Sequence, residues 1–172
     1  NIGQRPVDFH IAGLKALGFK YIEEHGDITL IKPDKFDKKL HYSLPYKSVG
    51  TTEQLMSTAA LISDSITVLE NVAMEPEIID LQDFLNKCGA KISGAGTDRI
   101  TIHGVNELDG CEYDIIPDRI EAGTYILAAL GTRSKIKVQN INTDHIQKLI
   151  QIIIFYGICH CLTIMSAWFS QT

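Results

Sequence analysis

"EPEIIDLQDFLNKCGAKI", residues 75–92, decides how the chain is read. Pro76 suits the first position of a helix, where its missing N–H is no loss. Ile78, Leu81, Leu85 and Cys88 follow at helical spacing and make one apolar stripe. Gly89 then stands where a helix ends in the left-handed conformation. The same pattern returns at an offset of 68, in "TDHIQKLIQIIIFYGICH" (143–160). Ile78 meets Ile146, Leu81 meets Leu149, Leu85 meets Ile153 and Gly89 meets Gly157. "RPVDFHIAGLKALGFKYI" (5–22) is a third copy, with Gly18 in the place of Gly89.

The repeat extends upstream. "VGTTEQLMSTAAL" (49–61) lies over "PDRIEAGTYILAAL" (117–130), so that Gly50 meets Asp118, Glu53 meets Glu121 and Ala60 meets Ala128. Each unit reads as a capped helix rich in small residues, a β-branched strand ("SITVLEN", "SKIKVQN"), and a second helix closed by glycine. Two short strands around a Gly-rich turn, "AKISGAG" and "DRITIHGV", complete it. The class expected is α/β (α+β), built from repeated units that bury their helices only against sister units.

In phase with this repeat, 146–156 is a helix, Gly157 its C-cap and 158–164 a strand. The segment 149–169, "LIQIIIFYGICHCLTIMSAWF", has no Lys, Arg, Asp or Glu and also meets the length test for a membrane span. A span would require Gly157 to leave its repeat position. "MSAWFSQT" has no counterpart, so the tail reads either as a fully buried copy or as a drifted one.

Composition is that of a globular protein: 172 residues, 45% hydrophobic and 22% charged. The net charge of −5 removes a global electrostatic case for nucleic acid, though local cations and helix N-termini remain open to an anionic small molecule. Cys88, Cys111, Cys159 and Cys161 lack the density of a disulfide framework, no secretory signal is visible, and a reducing, cytoplasmic setting follows by default. Cys159-His160-Cys161 is a weak metal pattern and reads as buried or idle. The six histidines show no metal-ligand spacing, and no phosphate-binding Walker loop, dinucleotide fingerprint or nucleophile elbow is present.

Chemistry is expected at helix onsets. In "KSVGTTEQLM", Ser48 and Gly50 precede a helix expected to begin near Thr51, with Glu53 as its third residue and backbone N–H groups facing outward; a plain helix cap explains the spacing equally. Asp118-x-x-Glu121 has the capping-box pattern. Arg119 places a cation where the helix dipole disfavours it, a mild sign of an anionic partner. Glu75 precedes Pro76, and Arg5 and Asp8 flank Pro6 at the first turn of another helix. Arg5, Glu75, Asp118 and Arg119 thus all lie at helix starts, which in a repeat fold converge around one pocket.

Taken together, "RPVDFHIAGLKALG", "SVGTTEQLM", "ENVAMEPEIIDLQDFLNKCGAKISGAGTDRITIHGV" and "IPDRIEAGTYILAA" resemble the UDP-N-acetylglucosamine 1-carboxyvinyltransferase (UDP-N-acetylglucosamine enolpyruvyl transferase) family, from Gly3 to about Asp144. The resemblance implies a fragment of a fold with two similar domains of βαβαββ-like units, an inside-out α/β barrel that is incomplete here. Residues 1–116 would belong to the first domain and 117–172 would begin the second. It implies transfer of the enolpyruvyl group of phosphoenolpyruvate to the sugar 3′-hydroxyl with release of phosphate, in the first committed step of peptidoglycan synthesis. Cell-wall biogenesis, cell shape and the cell division cycle are the processes this serves.

The family's general acid, usually Cys and sometimes Asp, stands five residues before the Arg of the RPVD motif, one position before Asn1. No catalytic residue is therefore expected in the chain, and none of its cysteines takes that role. The family's phosphoenolpyruvate-binding Lys-Asn pair and the Asp thought to act as base also lie outside it, so the isolated chain is expected to be inactive. By resemblance, nucleotide-sugar contacts fall on Arg5, Pro6, Val7, Asp8 and Phe9 and on Tyr46, Lys47, Ser48, Val49 and Gly50. Glu75, Asp118 and Arg119 would line the pocket. Phe9, Tyr46 and Lys47 vary from the commoner family residues. No cofactor or metal is implied; the partners are the two substrates and the remainder of the enzyme chain, with no nucleic acid. A non-catalytic relic or nucleotide-sugar-binding module stands as the alternative. The related 3-phosphoshikimate enolpyruvyl transferase is disfavoured by the RPVD and SVG motifs, and a membrane-anchored role by the repeat.

Overall fold

The computed structural model describes residues 7–155 and 162–164. Two compact units divide the chain, residues 1–113 and 114–172.

The first unit opens with helix α1 (Asp8–Ala16) and the antiparallel hairpin β1 (Lys20–Glu24) and β2 (Asp27–Ile31). Then come β3 (Lys39–Ser43), α2 (Val49–Ala60), β4 (Ile66–Glu70), α3 (Pro76–Lys87), β5 (Lys91–Ser93) and β6 (Arg99–His103). The last five of these follow the helix, strand, helix, strand, strand order read from the repeat, and with β3 ahead of them they make the βαβαββ unit that the resemblance implies. Their four strands make one sheet in the order β3-β4-β6-β5. β3 and β4 are parallel, Lys39 beside Ile66 and Ser43 beside Glu70, because α2 carries the chain back across the sheet. β6 runs antiparallel to both of its neighbours.

Strand alternation sorts this sheet into two faces. Leu40, Thr67, Leu69, Ile92, Ile100 and Ile102 are buried in a core with Leu55, Met56, Ala59 and Ala60 of α2 and Ile78 and Leu85 of α3. Each Leu, Ile or Met among them fully removed from water is worth about 1.5–3 kcal/mol. The opposite face carries a charged row across three strands, in which Glu70 pairs with His41 at 3.0 Å and lies 3.9 Å from Arg99. One face is packed and one is wet, so the charged residues of these strands stay in water, while Thr67 on the packed face keeps a buried hydroxyl without a hydrogen-bond partner among the described residues.

The glycine stops close the helices as expected. Gly18 has φ +102° and Gly89 φ +103°. After α1, Gly18 N–H donates to the Lys15 carbonyl and Phe19 N–H to that of Leu14; after α3, Gly89 donates to Asn86 and Ala90 to Leu85. These are two copies of one Schellman closure. Thus α1-β1-β2 repeats the helix and two strands that end the complete unit. The copies differ in setting: β6 sits inside a sheet, whereas among the described residues β1 and β2 pair only with each other and expose Ile22, Ile28, Leu30 and Ile31.

The second unit contains α4 (Arg119–Gly131), β7 (Ile136–Val138), the 3-10 turn Thr143–Ile146, α5 (Gln147–Phe155) and β8 (Leu162–Ile164). Ala122, Ile126, Ile141, Ile146 and Ile153 form its core. Gly123 allows α5 to approach α4, since a Cβ there would stand 3.3 Å from Leu149 Cδ2. The helix expected over 146–156 is present as the 3-10 turn and α5, and β8 falls within the strand expected over 158–164. Gly157 and the Cys159-His160-Cys161 motif lie outside the described residues. Because Leu162–Ile164 is a strand paired in parallel with β7, residues 149–169 are not one spanning helix. Among the described residues no helix is long and apolar enough to cross a membrane.

Candidate functional site

In the first unit three helix onsets meet. α1 begins at Asp8 with Val7 at its cap. Arg5 and Pro6, expected at this onset, lie outside the described residues. Gly13 lets the two helices come together, because a Cβ there would be 2.6 Å from Leu55 Cδ1 of α2. One turn nearer the onsets, His10 Nδ1 and Gln54 Oε1 share a hydrogen bond. At the onsets themselves the Phe9 and Tyr46 rings stack, with centroids 6.2 Å apart and planes inclined by 21°.

The α2 onset corrects the expected start. The helix begins at Val49, not near Thr51, so Gly50 lies within its first turn and Glu53 one turn in. Ser48 is the cap, and its hydroxyl accepts a hydrogen bond from Thr51 N–H at 3.3 Å. An extended residue with a side-chain acceptor ends the strand-like approach, and Gly50 in the first turn leaves the helix end uncrowded. Glu53 is half-buried; burial first, and the nearby Glu77 second, push its carboxyl above the usual range.

The α3 onset joins the same group. Thr52 ties α2 to it, its hydroxyl donating to the Ser48 carbonyl at 2.8 Å and accepting from Ala73 N–H at 3.1 Å. Lys47 Nζ donates to Met74 Sδ at 3.4 Å. Glu75 caps α3 in an extended conformation, and its Oε2 accepts Met74 N–H at 2.8 Å. The structure therefore brings Phe9, Tyr46, Lys47, Ser48 and Glu75 into one chain of contacts, with Val7, Asp8, Val49 and Gly50 beside them. Met74, His10 and Gln54 complete the arrangement without having been singled out as site residues. The adjacency of Met74 to Glu75 and the place of His10 in the RPVDFH stretch were signals, and Gln54 had none.

In the second unit, Asp118 caps α4, its Oδ1 accepting Ile120 N–H at 2.7 Å and Glu121 N–H at 3.1 Å. That is the forward half of the expected capping box. Arg119 takes the first helical position. A cavity of about 330 Å³ opens beside this onset, lined by Pro117, Asp118, Glu121, Tyr125, Val138 and Asn140. Among the described residues no group of three or more His, Cys, Asp or Glu side chains is placed to hold a metal.

Comparison with known proteins shows the family and the fold. Residues 1–158 match the family model described as EPSP synthase (3-phosphoshikimate 1-carboxyvinyltransferase). The chain is 62% identical over 158 residues to a UDP-N-acetylglucosamine 1-carboxyvinyltransferase of Kosmotoga olearia, covering 92% of this chain and 38% of that relative. A protein of the same name from Thermotoga maritima is 52% identical over 149 residues, with 85% and 34% covered. The chain thus spans little more than a third of the length of these relatives. Among solved structures, the enolpyruvyl transferase NikO from Streptomyces tendae superimposes with a TM-score of 0.62 at 21% identity, over 73% of this chain and 32% of that one. EPSP synthase from Acinetobacter baumannii gives 0.54 at 20% identity, over 73% and 28%. These two likenesses show the fold: mixed α/β units of the enolpyruvyl transferase type, with the barrel not closed in this chain. By the match that runs through nearly all of its residues, the chain belongs to the EPSP synthase family of enolpyruvyl transferases.

Proposed function

We propose that this chain is part of a UDP-N-acetylglucosamine 1-carboxyvinyltransferase and supplies one wall of its nucleotide-sugar site. The observation that carries the proposal is the 62% identity over 158 residues to a relative of that name. The gathered onsets of α1, α2 and α3 support it. The opening turn of a helix has N–H groups without intrahelical acceptors, and its dipole favours a diphosphate. The half-exposed Phe9 and exposed Tyr46 offer apolar faces beside it. The glycine at position 50 is not demanded by internal packing, since an added Cβ would meet only the His10 ring, with Cε1 at an ordinary 3.5 Å and Nε2 at 3.7 Å. Close approach of a ligand gives it a reason.

In this reading Arg5, Pro6, Val7, Asp8 and Phe9, with Tyr46, Lys47, Ser48, Val49 and Gly50, hold the nucleotide sugar; Glu75, Asp118 and Arg119 line the pocket. The enolpyruvyl group of phosphoenolpyruvate passes to the sugar 3′-hydroxyl and phosphate leaves. Protonation of the methylene carbon makes a cationic centre that the hydroxyl attacks, so the reaction needs a general acid, a base and cations around the phosphate. The residues of this chain bind and orient; the acid and base come from the rest of the enzyme. The domain boundary falls near Ile116–Pro117, the setting is cytoplasmic, and the product enters peptidoglycan synthesis and so cell-wall growth and division.

The test is direct. Calorimetry of the 172-residue chain with UDP-N-acetylglucosamine should show saturable heat, whereas none would favour a relic without a pocket. Phosphate release from phosphoenolpyruvate plus the sugar nucleotide should stay at blank. Release clearly above blank would overturn the assignment of a binding wall without the chemical machinery.

A further inference from the structure

The segment after β6 is strapped along α3. Asp109 N–H donates to the Cys88 carbonyl at 2.8 Å, and the Tyr113 hydroxyl donates to Asp80 Oδ1 at 2.8 Å. Phe84 meets the Tyr113 ring edge-on at 5.5 Å, and Lys87 Nζ lies 5.7 Å from its centroid. Between these anchors Cys88 Sγ and Cys111 Sγ are 3.2 Å apart. Both are free thiols; Cys88 is buried and Cys111 partly exposed.

We infer that Cys88 and Cys111 form an oxidisable dithiol that a small-molecule disulfide converts to an intrachain disulfide, pinning residues 104–113 to the end of α3. A disulfide needs its sulfurs about 2.05 Å apart, so closure requires a movement of roughly 1 Å between backbones already held together on either side. Oxidation begins at Cys111, the thiol that solvent reaches. Its thiolate attacks one sulfur of the oxidant, breaking that S–S bond and releasing one thiol. The Cys88 thiol then loses its proton and attacks Cys111 Sγ, displacing the second thiol. Two protein thiols are oxidised and one disulfide is reduced to two thiols. The hydrogen bond to Cys111 first, and burial second, hold the Cys88 thiol above its usual range, which makes it a poor first nucleophile and leaves the opening attack to Cys111.

The experiment uses the whole chain with oxidised glutathione, alkylation of remaining thiols and digestion by trypsin without reductant. The expected product joins the peptide 88–91 to the peptide 100–119, is lighter than their sum by two hydrogens, and disappears with dithiothreitol. It should form at least tenfold faster in native protein than in denaturant, and backbone amides of 104–113 should exchange at least threefold more slowly once it has formed. Cys88→Ser should halt oxidation at a glutathione adduct on Cys111. Recovery of Cys88 and Cys111 both alkylated, a stable glutathione adduct on wild-type Cys111, or crosslinks only to Cys159, Cys161 or a second molecule would overturn the inference. The wild-type map decides by itself if the variant does not fold.

Discussion

Phe9 and Tyr46 stack across the onsets of α1 and α2, 6.2 Å between centroids, although neither ring belongs to the core. Aromatic pairs contribute about 0.5–1.5 kcal/mol beyond area, and exposure puts this one at the lower end. A double-mutant cycle with Phe9→Ala and Tyr46→Ala, read by denaturant unfolding, should give a coupling of about 0.5 kcal/mol. Each single change should weaken UDP-N-acetylglucosamine binding by roughly threefold. Coupling indistinguishable from zero would mean that the rings are neighbours without being partners.

Two glycines separate backbone strain from packing. Gly89 has φ +103° with open space around it, so Gly89→Ala should cost about 1–2 kcal/mol from conformation alone. At Gly104 an added Cβ would fall 1.7 Å from the Ile62 carbonyl oxygen, against backbone that cannot yield cheaply. Gly104→Ala should lose about 3 kcal/mol or more, or fail to fold. Equal melting temperatures for the two variants would contradict this order.

Helix caps should differ in strength. Asp118 accepts two N–H groups, at 2.7 and 3.1 Å, whereas Ser48 accepts one, at 3.3 Å. Within the range of about 0.5–2 kcal/mol for losing a cap, Asp118→Ala should sit high and Ser48→Ala low. Hydrogen exchange in the first turns of α4 and α2 measures each helix separately. Faster exchange at α2 than at α4 in the respective variants would refute the ranking.

Alkaline titration should loosen the strap on α3. Burial first, then the hydrogen bond to Asp80, push the Tyr113 hydroxyl up to about 12 from its ordinary value of 10.0. The fold thus prefers the neutral phenol. The stabilisation is complete below pH 10 and is lost as pH rises from there towards 12, because the unfolded chain ionises first. Tyr113→Phe should remove that part of the alkaline loss and lower stability at pH 7 by about 0.5–1.5 kcal/mol, since the hydrogen bond to Asp80 is lost there too. A wild-type and variant stability difference that stays flat between pH 9 and 12 would disprove the role of the phenol.

The β1–β2 hairpin should drive self-association. Ile22, Ile28, Leu30 and Ile31 are exposed on strands that, among the described residues, pair only with each other, and exposed apolar patches of this kind favour contact with another chain. Light scattering should report oligomers for the wild type and a shift toward monomer for Ile28→Lys. A monomeric wild type would show that the hairpin alone is insufficient.

The sequence by itself determined the helices, their glycine stops and the order of elements in the repeat. These are local matters. A stripe at helical spacing such as Ile78, Leu81, Leu85 and Cys88, the Pro76 start, and the Gly18 and Gly89 ends are legible because each obeys rules spanning a few residues of backbone. Even there the α2 start was displaced, since Ser48 competes with Gly50 for the cap and only the accepted Thr51 N–H decides between them. The tertiary structure alone decided which distant residues meet: Phe9 with Tyr46 and Lys47 with Met74 at the helix onsets, and Cys88 with Cys111 at the far end of α3. Those partners are far apart in the chain, and what joins them is the packing of α1 on α2 and of the later strap on α3. Such distances depend on the sum of many close contacts, Gly13 against Leu55 among them, and no short window of sequence contains that sum.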